Sequence, residues 1–115
     1  MNFLKEKSFK FAVRVVKLSQ YLGREKREYV MSKQILRSGT AVGALYREAE
    51  HAESKADFIH KLAIAQKECN ETIYWLELLH ATEYLTQPQF DSLYADAVEL
   101  IKLLTSSIKT AKSKG

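Results

Sequence analysis

"ILRSGTAVGALYREAE", residues 35–50, sets Gly39 and Gly43 four residues apart, between Arg37 and a carboxylate-bearing run. Glycines so spaced either open a loop that cradles a phosphate or thin one face of a helix so that another helix can lie against it. A phosphate loop follows a strand, and a P-loop carries Lys-Ser or Lys-Thr directly after its last glycine. Here Ala44 and Leu45 follow instead. Within a helix the two glycines stack on one face, each costing up to about 1 kcal/mol relative to alanine. That cost implies a compensating close contact, since small residues let two backbones approach. Gly39 and Gly43 are therefore read as a tight helix crossing, one that subunits can share; the blander reading is a loose kink.

The surroundings of this stretch are helical as well. Four glycines and one proline interrupt the chain, and its alanine, leucine, lysine and glutamate favour helix. Phe11, Val15, Leu18 and Leu22 recur at helical spacing and predict a first helix from about Phe3 to Leu22, stopped by Gly23. "GREKRE" reads as a polar turn, and a second helix runs from about Tyr29 to Glu53 through Ile35, Val42 and Ala49. "SKAD" supplies a capping box in which the Ser54 hydroxyl accepts from the Asp57 amide while the carboxylate reaches back. Phe58, Leu62, Ala65, Cys69, Thr72, Leu76 and Leu79 then form a heptad-like seam on a third helix ending near Leu85. Thr86 caps a fourth helix with Pro88 in its first turn, and Phe90, Leu93, Ala97, Leu100, Leu104 and Ile108 point inward. The last few residues are expected to fray. The fold class is all-α, an up-down-up-down antiparallel four-helix bundle, with residues 1–115 as one domain.

Composition narrows the setting. With 46% hydrophobic and 28% charged residues the chain reads as an ordinary globular domain, and a pI near 9.2 points to an anionic partner. The lone Cys69 excludes an internal disulfide and a cysteine-based zinc site, and it fits a reducing cytoplasm. No apolar run approaches the roughly 20 residues that span a bilayer, so no membrane association is expected. "MNFLKEKSFKFAVRVV" has neither an unbroken apolar region nor a small-residue cleavage site, so no signal peptide is expected.

Charge is unevenly placed. Residues 1–47 hold eleven Lys or Arg and three acids, residues 48–99 hold three and eleven, and residues 100–115 hold four and none. On the first helix Lys7, Lys10, Arg14, Lys17 and Arg24 share the face opposite the core, with Tyr21 among them and no acid on that stripe. In an antiparallel bundle Lys109, Lys112 and Lys114 extend this ridge near Lys5 and Lys7. Lys26 and Arg27 continue it into "YLGREKREY", where Tyr21 and Tyr29 can stack on unpaired bases. Such arrays suit phosphate backbones, because each neutralised phosphate releases condensed counterions. The bland alternative is a solvated face, or a ridge that docks on an acidic protein.

Two further patterns bear on function. The apolar arc of the first helix exceeds the roughly 100° that covers a bundle core, since Phe9, Ala12, Val13 and Val16 widen it; the surplus predicts a homo-oligomer. Glu48-x-x-His51 and Glu77-x-x-His80 match the spacing of di-iron bundles. Their helices are consecutive and antiparallel, however, so the motifs lie roughly 28 Å apart at about 1.5 Å per residue. His60 is isolated, and no serine or cysteine nucleophile has a base at recognisable spacing. No catalytic residue, metal site or cofactor is therefore expected, and the chain is not read as an enzyme. Glu68 and Glu71 beside Trp75 form a polar patch, either near a subunit contact or on an exposed face.

The continuous block "RSGTAVGALYREAEHAESKADFIHKLAIAQKECNETIYWLELL", residues 37–79, resembles the bacterial four-helix-bundle family of proteins encoded in large-subunit rRNA intervening sequences. The resemblance implies a bundle that assembles as a ring, commonly a pentamer, with suspected RNA or nucleoprotein binding and no known catalysis. It also implies kinship in fold with the accessory protein of diversity-generating retroelements, whose basic pentamer engages a reverse transcriptase and nucleic acid. One departure is Leu45, where the family often has asparagine. Two functions follow as expectations: an oligomeric binder of RNA or a nucleoprotein, or a protein-interaction scaffold without nucleic acid.

Overall fold

Four helices form where the periodicity predicts them. In the computed structural model, which describes residues 2–114, α1 spans Phe3–Glu25, α2 Met31–Ala49, α3 Lys55–Ala81 and α4 Gln87–Ser113. No strand occurs among the described residues. Each helix runs antiparallel to the one before it: Gly43 meets Ser8 while Gly39 meets Val15, Glu48 pairs with Lys61 while Arg37 pairs with Glu68, and Gln66 bonds Thr105 while Cys69 bonds the Ala97 carbonyl. Contact is close between helices consecutive in sequence and sparse between α1 and α4. The bundle measures 48 × 23 × 21 Å.

The predicted stripes meet in the core. Phe11, Val15, Leu22, Ile35, Val42, Leu62, Leu76, Leu79, Leu100 and Leu104 are closed to solvent or nearly so, each such side chain contributing about 1.5–3 kcal/mol relative to exposure. Phe58, Phe90 and Ile108, toward the ends of α3 and α4, are half-buried against the core instead. The buried hydroxyls of Ser38 and Thr72 are hydrogen-bonded at 2.8 Å, and Thr72 also donates to the Glu68 carbonyl. Leu45 packs half-buried against the core.

Gly39 and Gly43 differ in what they touch. A Cβ on Gly39 would lie 2.7 and 2.8 Å from the two γ-methyls of Val15, so this glycine is where α2 crosses α1 within one chain. A Cβ on Gly43 would meet Ser8 atoms at 3.4 Å, ordinary contact, and Gly43 opens on a surface groove.

Helix ends depart from expectation in several places. Gly23 does not stop α1: it stays helical and seats the Tyr29 ring, which lies 3.7 Å from where its Cβ would be. The chain turns at Arg27, with φ 52°, and the Glu28 amide donates to the Leu22 carbonyl. The Glu28 carboxylate then accepts from the amides of Val30, Met31 and Ser32, so α2 begins at Met31 under a cap donated from the turn. At the far end α2 closes at Ala49, because the amides of His51 and Ala52 bond back to Glu48 and Ala49 in a tighter turn. Ser54 caps α3 as predicted, at 3.0 Å from the Asp57 amide, while the Asp57 carboxylate reaches one residue further back, to Glu53. Thr86 caps α4, and Gln89 completes a capping box with it. α4 runs to Ser113.

α3 ends at Ala81, short of Leu85, in a Schellman turn: Tyr84 donates to the Leu79 carbonyl and Glu83 to the His80 carbonyl. Glu83 takes φ 69° there, a conformation that costs a residue with a side chain roughly 1 kcal/mol. Glu83→Gly is expected to raise stability by about that amount, read as a higher denaturant midpoint at unchanged slope. A lower midpoint would show that the Glu83 side chain stabilises more than its backbone strains.

Cys69 is fully buried, its thiol donating to the Ala97 carbonyl at 3.4 Å. Burial pushes its pKa up to about 12 from the usual 9.0. A folded-state pKa above the unfolded one means that the thiol favours folding fully below pH 9 and loses that preference as pH rises toward 12. Stability should therefore fall more steeply above pH 9 in the wild type than in Cys69→Ala, measured by denaturation at each pH. Parallel slopes would refute it.

Candidate nucleic-acid interface

The basic stripe of α1 lies along the seam with α4, and its members are not equivalent. Lys7 Nζ lies 3.1 Å from Glu99 Oε1. Arg14 Nη1 lies 2.7 Å from Asp96 Oδ2 and also donates to the Ser92 carbonyl, while Nη2 donates to the Ser92 hydroxyl at 3.0 Å. The stripe is free of acids along α1 itself, yet α4 supplies them from across the seam. Ser92, Asp96 and Glu99 recur at spacings of four and three, a helical face legible in the sequence that sequence reasoning passed over. Such half-exposed pairs contribute little stability, about 0–1 kcal/mol each; their consequence here is that Lys7 and Arg14 have carboxylate partners already.

Lys10, Lys17, Arg24, Lys26 and Arg27 are exposed, and none has a carboxylate within ion-pair distance among the described residues. Arg24, Lys26 and Arg27 stand at the end of α1 and in the turn after it, close to Tyr29 on its Gly23 seat and two turns beyond Lys17. Lys109 and Lys112 occupy the last turns of α4, at the opposite end of the bundle, where α1 begins. The basic surface therefore has two parts, a larger one at the α1–α2 turn and a smaller one at the chain ends. Lys5, between Lys7 and the α2 terminus, pairs with Glu50 at 3.5 Å.

The α1–α4 seam opens into a cleft of about 250 Å³ beside the larger part, lined by Arg14, Lys17 and Tyr21 from α1 and by Gln89 and Leu93 from α4, with Leu18 and Leu85. A second groove, about 260 Å³, separates α1 from α2 at Gly43 and is bounded by Phe9, Ala12 and Thr40. Above it Phe9, Val13 and Val16 form an exposed apolar strip, 56%, 39% and 37% accessible, with the Arg47 guanidinium 5.4 Å from the Phe9 ring centroid.

The patch of Glu68, Glu71 and Trp75 proves to be a clamp between α2 and α3. Arg37 bonds Glu68 at 3.1 Å and Glu71 at 2.6 Å, and the Trp75 indole donates to Glu71. The Trp75 and Arg37 hydrogen bonds hold the Glu71 carboxyl below its ordinary pKa, and the bond to Glu71 raises that of Arg37. Among the described residues no three His, Cys, Asp or Glu side chains gather closely enough to hold a metal ion. Glu48 pairs with Lys61, and His80 stacks on Phe90 at 4.5 Å. No described helix is long and apolar enough to cross a membrane.

This fold and basic surface can be set beside known proteins. The sequence profile of the 23S rRNA-intervening sequence protein family matches residues 3–106, from the first residue of α1 into the last turns of α4. The chain belongs to that family. Among solved structures, a crystal structure of a protein of unknown function from the S23 ribosomal protein family of Bacteroides thetaiotaomicron is similar to it. That protein is 60% identical, with a TM-score of 0.92, and the match covers 92% of this chain and 98% of that one. No curated protein matches. As a 23S rRNA-intervening sequence protein, the chain has helices 1 and 4 inside the family's span as well as the central block of residues 37–79.

Proposed function

We propose that this chain is a non-enzymatic, self-associating bundle that binds RNA, alone or within a nucleoprotein, through the basic surface at the α1–α2 end. The observation that carries the reading is the placing of unpartnered charge. Lys17, Arg24, Lys26 and Arg27 have no ion-pair partner among the described residues; Lys17 lines the cleft with Tyr21, and Arg24 follows the Gly23 seat of Tyr29. Cations without carboxylates can release counterions from a phosphate backbone, whereas Lys7 and Arg14 would first have to break an ion pair. Lys10 lengthens this surface along α1, and Lys109 and Lys112 add a second point of attachment at the other end. The family's rRNA name supports the same reading, and a buried free thiol suits the cytoplasm.

Self-association rests on the strip of Phe9, Val13 and Val16, a contiguous apolar surface beside the Gly43 groove that a second copy can cover. Repeating the basic surface around an assembly multiplies weak phosphate contacts. Light scattering is expected to give a mass above that of a dimer, the family's pentamer included, and a species near 13.2 kDa at micromolar concentration refutes it.

The test of RNA binding is filter retention of a structured RNA and of an unrelated single strand over a series of salt concentrations. Affinity is expected to fall linearly on a logarithmic salt axis. Absent or salt-insensitive binding overturns the reading and leaves the basic end as a dock for an acidic protein.

A further inference from the structure

The core is not sealed completely along the α1–α4 seam. Leu18, Leu85 and Leu93 keep 7%, 4% and 6% of their surface, while the other core leucines of α1 and α4, Leu22, Leu100 and Leu104, keep 0–1% apart from Leu4. These three leucines floor the cleft between Arg14, Lys17, Tyr21 and Gln89. An apolar floor reached from solvent at the side of a bundle is stabilised by anything flat and apolar that covers it.

Three properties define what fits. The volume, about 250 Å³, falls below the roughly 300 Å³ lower limit of pockets for drug-sized ligands, and so suits one ring system rather than an extended molecule. Tyr21 brings an aromatic ring to the lining, and Gln89, whose Oε1 is taken by the Thr86 amide in the α4 cap, brings the N–H donors of its side-chain amide, so a planar group with an acceptor on its edge can both stack and hydrogen-bond. Lys17, exposed and without an ion-pair partner among the described residues, supplies the positive charge at the rim, while Arg14 is held by Asp96 and Ser92 and stiffens the wall. A flat heteroaromatic ring joined to an anion is the chemistry of a nucleotide. Stacking of unpaired bases on aromatic side chains is also how sequence-tolerant single-strand binding gains about 1–3 kcal/mol per base.

We infer that the α1–α4 cleft receives one unpaired nucleotide of an RNA, its base over Leu18 and Leu93 against Tyr21 and its phosphate at Lys17. The inference rests on the RNA-binding reading for its biological ligand, but the cleft can be tested without any RNA. The base displaces water from the leucine floor, and the neighbouring phosphates run toward Arg24 and Lys26. Duplex RNA, whose bases are stacked and paired, engages the basic surface and leaves the cleft empty.

The experiment titrates adenosine 5′-monophosphate into the full chain carrying isotope-labelled leucine methyl groups, observed by NMR. The Leu18, Leu85 and Leu93 methyls are expected to shift with saturation near millimolar concentration, while inorganic phosphate alone moves none of them. Lys17→Gln should weaken the monophosphate by roughly three- to tenfold and leave adenosine unchanged; Tyr21→Ala should weaken both. Unmoved leucine methyls at 10 mM, or equal shifts with phosphate alone, overturn the inference. So do concentration-dependent shifts of the same methyls without ligand, which would give the cleft to a side chain of a second copy. The two readings fail separately. Salt-sensitive RNA retention with unmoved methyls removes the cleft alone, and methyl shifts without RNA retention remove the RNA reading and leave a mononucleotide site.

Discussion

Gly39→Leu is expected to abolish cooperative folding, and Gly39→Ala to lower stability by up to about 2 kcal/mol. Alanine's methyl would sit 2.7 and 2.8 Å from the Val15 γ-carbons and 3.2 Å from its β-carbon. Val15 is fully buried and branched at Cβ, so it has no alternative rotamer into which to swing. Overpacking of this kind costs about 1–3 kcal/mol, against which alanine regains up to about 1 kcal/mol of helix propensity. Leucine adds three further carbons at the same point, and a domain with roughly 5–15 kcal/mol in total has little margin. The decisive measurement is a double-mutant cycle with Val15→Ala. Removing the two methyls makes room for the new one, so the pair should be less destabilised than the sum of its parts by about 0.5–3 kcal/mol. Additive effects would place the strain elsewhere.

Replacing Lys17, Arg24, Lys26 and Arg27 together by glutamine is expected to lower RNA affinity about a hundredfold or more at low salt. The salt slope should flatten by roughly 0.7 for each phosphate of a single strand that is no longer neutralised. The weakening should be broad across sequences, because phosphate contacts do not read bases. Folding should survive, since all four side chains are exposed and none makes an ion pair within the described chain. Arg14→Gln is the contrasting variant. It breaks the bonds to Asp96 and Ser92 and so loosens the seam, while affinity changes less than for any one of the four. If Arg14→Gln weakens binding as much as the quadruple variant, the stripe acts as one continuous ridge and the division into partnered and unpartnered cations is wrong.

The helices were legible because their signals are local. Ser54, Thr86 and Pro88 sit where capping chemistry requires them, and the α3 stripe from Leu62 to Leu79 follows one period throughout. The turns were less so. Gly23 reads as a stop on composition, but its lack of a side chain serves Tyr29, a contact across a turn that spacing cannot reveal. Glu28 reads as one more charge in "GREKRE", yet it caps α2 because the reversal at Arg27 aims it at three free amides. The basic surface was half legible for the same reason. Its cations lie on one helix and share a face by arithmetic, but which of them are neutralised depends on the register of α4. The cleft with Leu85, Gln89 and Leu93 depends on how far α1 and α4 stand apart, which no single helix encodes.

The thin seam between the first and last helices has a kinetic side. Every extensive contact in the bundle joins helices adjacent along the chain, and the helices whose pairing closes the longest loop approach each other at the fewest places. Loop-closure entropy must be met before distant contacts reward it, so this topology asks for little of it early. Three successive hairpins can zip in any order, and the meeting of α1 with α4 adds comparatively little to the barrier. A chain built this way is expected to fold on the microsecond to millisecond scale of helical bundles, which stopped-flow refolding would read. Substitutions along the seam should then hasten unfolding far more than they delay refolding.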